Sequence, residues 1–292
     1  MKKGKNLKII KTIKELREEL KNCKEGSVGL VPTMGALHDG HKSLIQKSVE
    51  ENKYTVVSVF VNPVQFCAGE DLDKYPRTLE ADSLMCKTCG VDFIFAPNPS
   101  EMYKNQKNLT MVCPSFEDVD KLCGKSRIGH FDGVATVVAK LFNIVQPNKA
   151  YFGQKDAQQL FIIKKMVQDL NFDIEIVACP IVREESGLAL SSRNSYLTDD
   201  EHKEAEKISL ALRKVKEMFN NGINNIMPLT DMVFAILDGL DIEYFEIVNS
   251  ETFEIYEKTD IIKANSTALI AVKVNTTRLI DNIELWEKAL EL

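Results

Sequence analysis

Short continuous apolar runs alternate with longer stretches of helical period over the first 180 residues. The sequence Thr12-Ile13-Lys14-Glu15 reads as a capping box and predicts a helix over 12–26, ended at Gly26. The apolar run 28–31 stops at Pro32, and a glycine-punctuated loop, PTMGALHDGH, leads into a predicted helix over 42–52. Residues 54–61, YTVVSVFV, are β-branched and continuously apolar, as a strand buried on both faces requires. Asn62-Pro63 breaks that strand. The alternation continues with a helix over 77–89, a strand over 91–95 and a further strand over 109–113. A helix over 132–145, a strand over 150–152, a helix over 155–170 and a strand over 174–179 complete the series. Strands and helices at this spacing predict βαβ units, and right-handed crossovers arrange them as a doubly wound parallel sheet.

The texture changes near residue 185. A long charged amphipathic helix over 199–221 and a second helix over 227–237 precede alternating runs at 242–248, 268–274 and 277–283. Their short connections predict a smaller α+β domain with antiparallel strands. The expected division is residues 1–185, a Rossmann-like α/β domain, and 186–292, a smaller C-terminal domain.

Composition narrows the function. With 292 residues and 44% hydrophobic content the chain is ordinary globular material, long enough for a sizeable core. A net charge of −6 argues against nucleic acid as partner, although it leaves room for a local pocket for a small anion. No apolar run reaches the ~18–20 residues of a bilayer span. The basic start lacks the apolar core of a signal peptide, so no membrane association and a cytoplasmic location are expected. Seven cysteines at irregular spacing do not form a secreted disulfide framework. Cys86 and Cys89 make a C-x-x-C, but they end a helical pattern with no second pair, so apolar packing is the expected role rather than redox or zinc chemistry.

The strongest chemical signal is His38-Asp39-Gly40-His41, after a strand and at the start of a helix. A helix N-terminus offers unpaired N–H groups and a positive dipole end, which suits phosphate. The two imidazoles add donors for charge that grows during displacement. As a metal pair they lack an evident third ligand, and a plain helix cap is the other alternative. A second strand–glycine–helix start, YFGQKDAQQL, offers Lys155 as a point charge and Asp156 for Mg²⁺ or a sugar hydroxyl, against helix capping and a solvated lysine. A third stretch, LALSSRN, sets two hydroxyls beside a guanidinium; without a G-x-S-x-G elbow it is an oxyanion clamp or a polar turn rather than a serine nucleophile. FVNPVQF ends the buried strand. His38, Asn62, Lys155 and Arg193 all follow predicted strands, whose carboxyl ends are where parallel sheets hold ligands. Neither a dinucleotide glycine motif nor a P-loop is present.

Taken in order and spacing, PTMGALHDGH, FVNPVQF, DLDKYPRT, GHFDGVATVV, YFGQKDAQQL and LALSSRN resemble the pantothenate synthetases, that is, the pantoate–β-alanine ligases of the H-x-G-H nucleotidylyltransferase superfamily. The resemblance implies a Rossmann-like nucleotide- and pantoate-binding domain over 1–185 and a C-terminal lid over 186–292. It implies a homodimeric cytoplasmic ligase that uses ATP and Mg²⁺ to join pantoate to β-alanine through a pantoyl adenylate. His41, His38, Lys155 and Arg193 are then the catalytic residues. Met34, Gly35, Ala36, Leu37, His38, Asp39, Gly40 and His41 lie along ATP, with Gly153, Gln154, Lys155, Asp156 and Val182 at the nucleotide. Leu190, Ser191, Ser192 and Arg193 complete the phosphate clamp. Gln65 and Gln159 bind pantoate, Gln65 and Asn62 bind β-alanine, and Arg127 and His130 belong to a covering loop. The metal ligands stay open.

The chain departs from the usual family text at Cys67, Ile128, Gln154, Ala157, Ser186 and Leu190, none of which removes a residue with a chemical role. Two other readings compete: a transferase of the same superfamily acting on another nucleotide or acid, and a degenerate relative that binds ATP without turnover. The amides of Gln65 and Gln159 oppose the first, and the intact histidines, lysine and arginine oppose the second.

Overall fold

A computed structural model describes residues 7–23, 25–105 and 108–285. Chain order runs β1 (Lys8–Ile10), α1 (Ile13–Lys21), β2 (Val28–Thr33), α2 (Asp39–Glu51), β3 (Tyr54–Val59), a 3-10 turn (Pro63–Gln65), α3 (Leu79–Cys89) and β4 (Phe93–Phe95). Short helices α4 (Pro99–Met102), α5 (Phe116–Val119) and α6 (Leu122–Ser126) lead to α7 (His130–Val145), β5 (Lys149–Gly153), α8 (Ala157–Asp169) and β6 (Glu175–Cys179). All six strands are parallel, in the order β1-β4-β3-β2-β5-β6.

That order places the site. From β2 the chain steps outward through β3 to β4, then returns to the other side of β2 for β5 and β6. The direction of winding reverses between β2 and β5, where Gly29 and Leu30 pair with Lys149 and Ala150. Open parallel sheets bind ligands in the crevice beyond the carboxyl ends of the strands at such a reversal. The carboxyl end of β2 is Thr33, before Met34–His41, and that of β5 is Gly153.

Apolar burial holds the sheet in place. Val31, Val57, Ile94 and Tyr151 form one core with Leu44 and Ile45 of α2 and Cys86 of α3. Burial pushes the Cys86 thiol up to about 12, so it packs as a small apolar group. Helix α7 is buried nearly all round, and it lies against β2 and α1.

Two predictions are corrected. Residues 109–113 are not a strand: the Val112 N–H goes to the Thr136 hydroxyl, 2.9 Å away, instead of to a ladder. The sheet instead gains β1, which pairs with β4 and was not foreseen. Helix α1 also ends at Lys21, short of Gly26; the Thr12 hydroxyl accepts the Glu15 N–H as expected.

The chain divides into two compact units. The first is the described chain up to Gln154 with Gln159–Pro180; the second is Lys155–Gln158 with the described chain from Ile181 onward. In the second, α9 (Asp199–Asn220) and α10 (Ile226–Ile236) pack on an antiparallel sheet of β7 (Asp241–Asn249), β8 (Ser266–Val274) and β9 (Thr277–Leu285). A capping box between Thr198 and Glu201 starts α9. Its apolar stripe, Ala205, Ile208, Leu212, Val215 and Phe219, recurs every three or four residues and is buried. Among the described residues no helix is long and apolar enough to cross a membrane.

Candidate active site

In the first unit the predicted ATP loop is held at both ends. The Thr33 hydroxyl donates to the Ser58 carbonyl at 2.6 Å and accepts the Gly35 N–H, which ties the ends of β2 and β3. Gly35 and Ala36 then take positive φ, 85° and 50°. A Cβ on Gly35 would sit a tight 3.0 Å from both Asp82 Oδ2 and Val59 Cγ1, and the positive φ itself strains any side chain there. Asp82, buried on α3, accepts the N–H groups of Ala36 at 3.2 Å and Leu37 at 2.8 Å, and the Thr78 hydroxyl. These charge-assisted bonds offset the left-handed turn. Sequence reading missed Asp82; its only signal was an acid four residues after Thr78 on an otherwise apolar helix face.

The turn delivers two histidines to the start of α2 as a reciprocal cap. The Gly40 N–H donates to His38 Nδ1 at 3.1 Å, and the His38 N–H donates to His41 Nδ1 at 3.3 Å. The rings lie 4.1 Å apart, both half-buried. A nitrogen that accepts an N–H cannot carry a proton, so in each ring the proton sits on Nε2. The cap therefore makes both imidazoles Nε2–H donors beside the positive end of the α2 dipole. Helix capping uses Nδ1 of each ring, so it does not exclude the donor role toward phosphate that was its rival at the level of sequence.

Beside this loop, Asn62 and Gln65 sit on the turn after β3, both buried. Asn62 Nδ2 donates to Gln65 Oε1 at 3.0 Å, and Gln65 Nε2 reaches Met34 Sδ at 3.2 Å. Helix α7 crosses this turn so closely that a Cβ on Gly133 would lie 2.5 Å from the Val64 carbonyl oxygen. The structure thus brings together Met34, Asn62 and Gln65 with the 34–41 loop.

The covering-loop residues are organised by a third histidine. Arg127 makes a forked ion pair with Glu70 at 2.6 and 2.8 Å, and its third nitrogen, Nη1, reaches His130 Nε2 at 2.8 Å. His130 Nδ1 then donates to the Gln65 carbonyl at 2.8 Å, the opposite tautomer to His38 and His41. The two departures Cys67 and Ile128 meet here: the Cys67 thiol donates to the Ile128 carbonyl at 3.4 Å, and the Ile128 side chain is 88% exposed. Burial alone would raise the Glu70 carboxyl, but hydrogen bonding to Arg127 and its charge hold it below the ordinary range. A carboxylate depressed in the folded state stabilises above its unfolded pKa of about 4.3 and loses that contribution as pH falls through the folded value. Glu70→Gln is therefore expected to melt below wild type at pH 6–8. The gap should close below about pH 4, as thermal melts across pH will show.

Gly153 ends β5 in the same unit and Gln154 follows it, where the Gln154 N–H extends the ladder to the Cys179 carbonyl at 2.8 Å. Gln159 is half-buried in the first turn of α8.

Lys155, Asp156, Val182, Leu190, Ser191, Ser192 and Arg193 fall in the second unit. The Leu190 N–H donates to the Val182 carbonyl, and Arg183 and Ala189 form a β-bridge, so residues 182–190 make a tight hairpin. The Ser191 hydroxyl accepts the Arg193 N–H and starts a 3-10 turn over Ser192–Tyr196. Asn194 ties that turn to Glu184 and to the Ala189 carbonyl. Strand β9 supports both parts. Asp281 takes a forked ion pair from Arg183 at 2.6 and 2.9 Å, and Asn282 Nδ2 donates to the Lys155 carbonyl at 2.9 Å. Lys155 Nζ lies 4.0 Å from the Asp156 carboxylate, which is half-exposed. Asp281 and Asn282 were also missed; a polar pair inside a strand was their only signal.

Known proteins are similar to this chain in sequence and in fold. A family model described as pantoate-beta-alanine ligase matches residues 8–284. The pantothenate synthetase of Caldicellulosiruptor saccharolyticus is 49% identical over 280 residues, 94% of this chain and 98% of that protein. That of Clostridium acetobutylicum is 48% identical over 281 residues, again 94% and 98%. Among solved structures, the pantothenate synthetase of Thermus thermophilus superposes with a TM-score of 0.90 at 41% identity, covering 96% of this chain and 99% of that one. A pantoate-beta-alanine ligase from Francisella tularensis, complexed with beta-gamma ATP and beta-alanine, gives 0.80 at 36% identity, covering 96% and 98%.

Proposed function

The chain belongs to the pantoate–β-alanine ligase family, and from that premise we infer that it condenses (R)-pantoate with β-alanine, consuming ATP and releasing AMP and pyrophosphate through a pantoyl adenylate. The observation that carries this reading onto named atoms is the reciprocal histidine cap at the sheet's winding reversal.

The chemistry follows from the residue types. The pantoate carboxylate is ionised at neutral pH, so its attack on the α-phosphorus needs no general base. It needs alignment of the reactants and relief of the charge that passes to the leaving pyrophosphate. His38 and His41 supply Nε2–H donors for that charge, and Lys155, Ser191, Ser192 and Arg193 supply the rest of the clamp. His41 serves the leaving pyrophosphate. The loop 34–41, with Gly153, Gln154, Asp156, Val182 and Leu190, lines the nucleotide. Gln65 and Gln159 hold pantoate, and Gln65 and Asn62 hold β-alanine, whose amine attacks the acyl carbon and expels AMP. Pantoyl adenylate hydrolyses readily, so the Arg127–His130 loop serves to exclude water.

Mg²⁺ is bound to nucleotides through phosphate oxygens, waters and one or two carboxylates. Asp156, half-exposed beside Lys155, fits as such a carboxylate; the ion's chemistry is charge neutralisation on the phosphates. In the proposed division of labour the first unit binds nucleotide and pantoate, and the second carries the clamp and acts as lid. The resemblance supports a cytoplasmic homodimer.

The test is AMP formation with ATP, Mg²⁺, pantoate and β-alanine, each omitted in turn. AMP is expected only with all four, and ATP–pyrophosphate exchange with pantoate alone. AMP release that does not depend on pantoate and β-alanine overturns the reading.

A further inference from the structure

We propose that Tyr103 is a positioning residue for the organic-acid site, acting through Asn62 to fix which way the Gln65 amide faces. This rests on the ligase reading, because it assigns a purpose to the Gln65 donors.

Amide side chains carry a donor and an acceptor of nearly equal shape, so their orientation has to be set by neighbours that cannot switch roles. Asn62 has two such neighbours. The Val64 N–H can only donate, and it meets Oδ1 at 3.3 Å; the Gly133 carbonyl can only accept, and Nδ2 meets it at 3.1 Å. The first is long and the second is of ordinary length. The short bond is the third, from the Tyr103 hydroxyl to Asn62 Oδ1 at 2.8 Å. With Oδ1 committed as an acceptor, Tyr103 is the donor. Asn62 Nδ2 is thereby turned to Gln65, and only Oε1 can receive it, at 3.0 Å. Gln65 Nε2 is left facing Met34 Sδ at 3.2 Å, a weak acceptor. The outcome is a one-way relay: phenol to Asn62, Asn62 to Gln65, and the Gln65 donors to the side of the ATP loop, where a carboxylate or hydroxyl of the substrate can displace sulfur.

Tyr103 is itself held for this task. It is 2% exposed, its ring lies 6.1 Å from that of Phe60, and Lys140 Nζ stands 5.7 Å from its centroid. Burial raises its phenol, so the hydroxyl keeps its proton throughout the working range. Phenylalanine at this position retains every ring contact and deletes only the donated hydrogen bond.

The experiment is steady-state kinetics of Tyr103→Phe, Gln65→Ala and the double variant, with thermal melts alongside. Removing one hydrogen bond from the relay should raise KM for pantoate or β-alanine about three- to tenfold. KM for ATP should stay within about twofold, and kcat should change little. In the Gln65→Ala background, Tyr103→Phe should add nothing to KM for pantoate, the acid assigned to Gln65 and not to Asn62, because the amide it orients is gone. A merely structural hydroxyl would predict the opposite: all parameters shifted together, or the same cost with and without Gln65. Either result overturns the proposal, as does an active Tyr103→Phe enzyme with unchanged KM values. A wild-type chain that forms no AMP from the two acids instead overturns the ligase reading, and this role with it.

Discussion

His41→Ala is expected to lower kcat and kcat/KM for AMP formation together, by about 10²–10³, the usual cost of deleting one donor to developing charge. Two functions converge on this ring, and they separate by atom. His41 Nδ1 accepts the His38 N–H and closes the start of α2; Nε2–H is the donor assigned to the leaving pyrophosphate. Alanine removes both, at about 1 kcal/mol of stability for the cap. Glutamine at this third helical position is the usual reciprocal capping residue and restores the acceptor to the His38 N–H. It places no donor where Nε2–H stood. His41→Gln should therefore melt close to wild type and still lose most of the rate. If it retains wild-type kcat, the imidazole is a cap only, and the charge-relief role passes to His38, Lys155 and Arg193.

The same ring shows why the site was only partly legible in sequence. H-x-G-H after a strand announced a phosphate-suited helix start, but not that the two histidines cap one another, because tautomers follow from backbone geometry. The alternating pattern was read correctly wherever a strand was long or flanked by breakers, as in β3 and β6. It failed at residues 109–113, where an apolar run satisfies its backbone through the Thr136 hydroxyl rather than a ladder. It failed again at β1, which is three residues long and follows a basic run. Asp82, Asp281 and Asn282 were invisible for a common reason. Each is a polar residue inside a regular element, and its purpose is a loop distant in sequence. Asp82 holds Ala36 and Leu37, and Asn282 holds Lys155, 127 residues earlier. Periodicity reports which face of an element is apolar and carries no information about which distant N–H group a buried oxygen will meet.

Of these, Asp281 carries the largest expected cost to folding. Its side chain is 2% exposed and takes both Arg183 donors, while the guanidinium, 27% exposed, also serves the carbonyls of Gly187 and Asn282. Asp281→Asn keeps the shape and removes the charge, leaving a largely buried cation without its counterion. Breaking such a pair costs about 3–5 kcal/mol; the partial exposure of Arg183 argues for the lower end. Thermal melting should drop by roughly 6–12 °C at that cost. Replacing both partners, Arg183→Met with Asp281→Leu, removes the uncompensated charge and should recover much of the loss, since a well-packed apolar pair of similar volume is often neutral. Activity should not recover with it. Arg183 anchors the turn at 184–188 through the Gly187 carbonyl, and that turn supports the proposed Ser191–Ser192–Arg193 clamp through Glu184 and Asn194. A doubly substituted chain that melts near wild type yet turns over slowly would place Arg183 in the support of the clamp. An Asp281→Asn variant that melts within about 1 °C of wild type would mean that this ion pair stabilises neither.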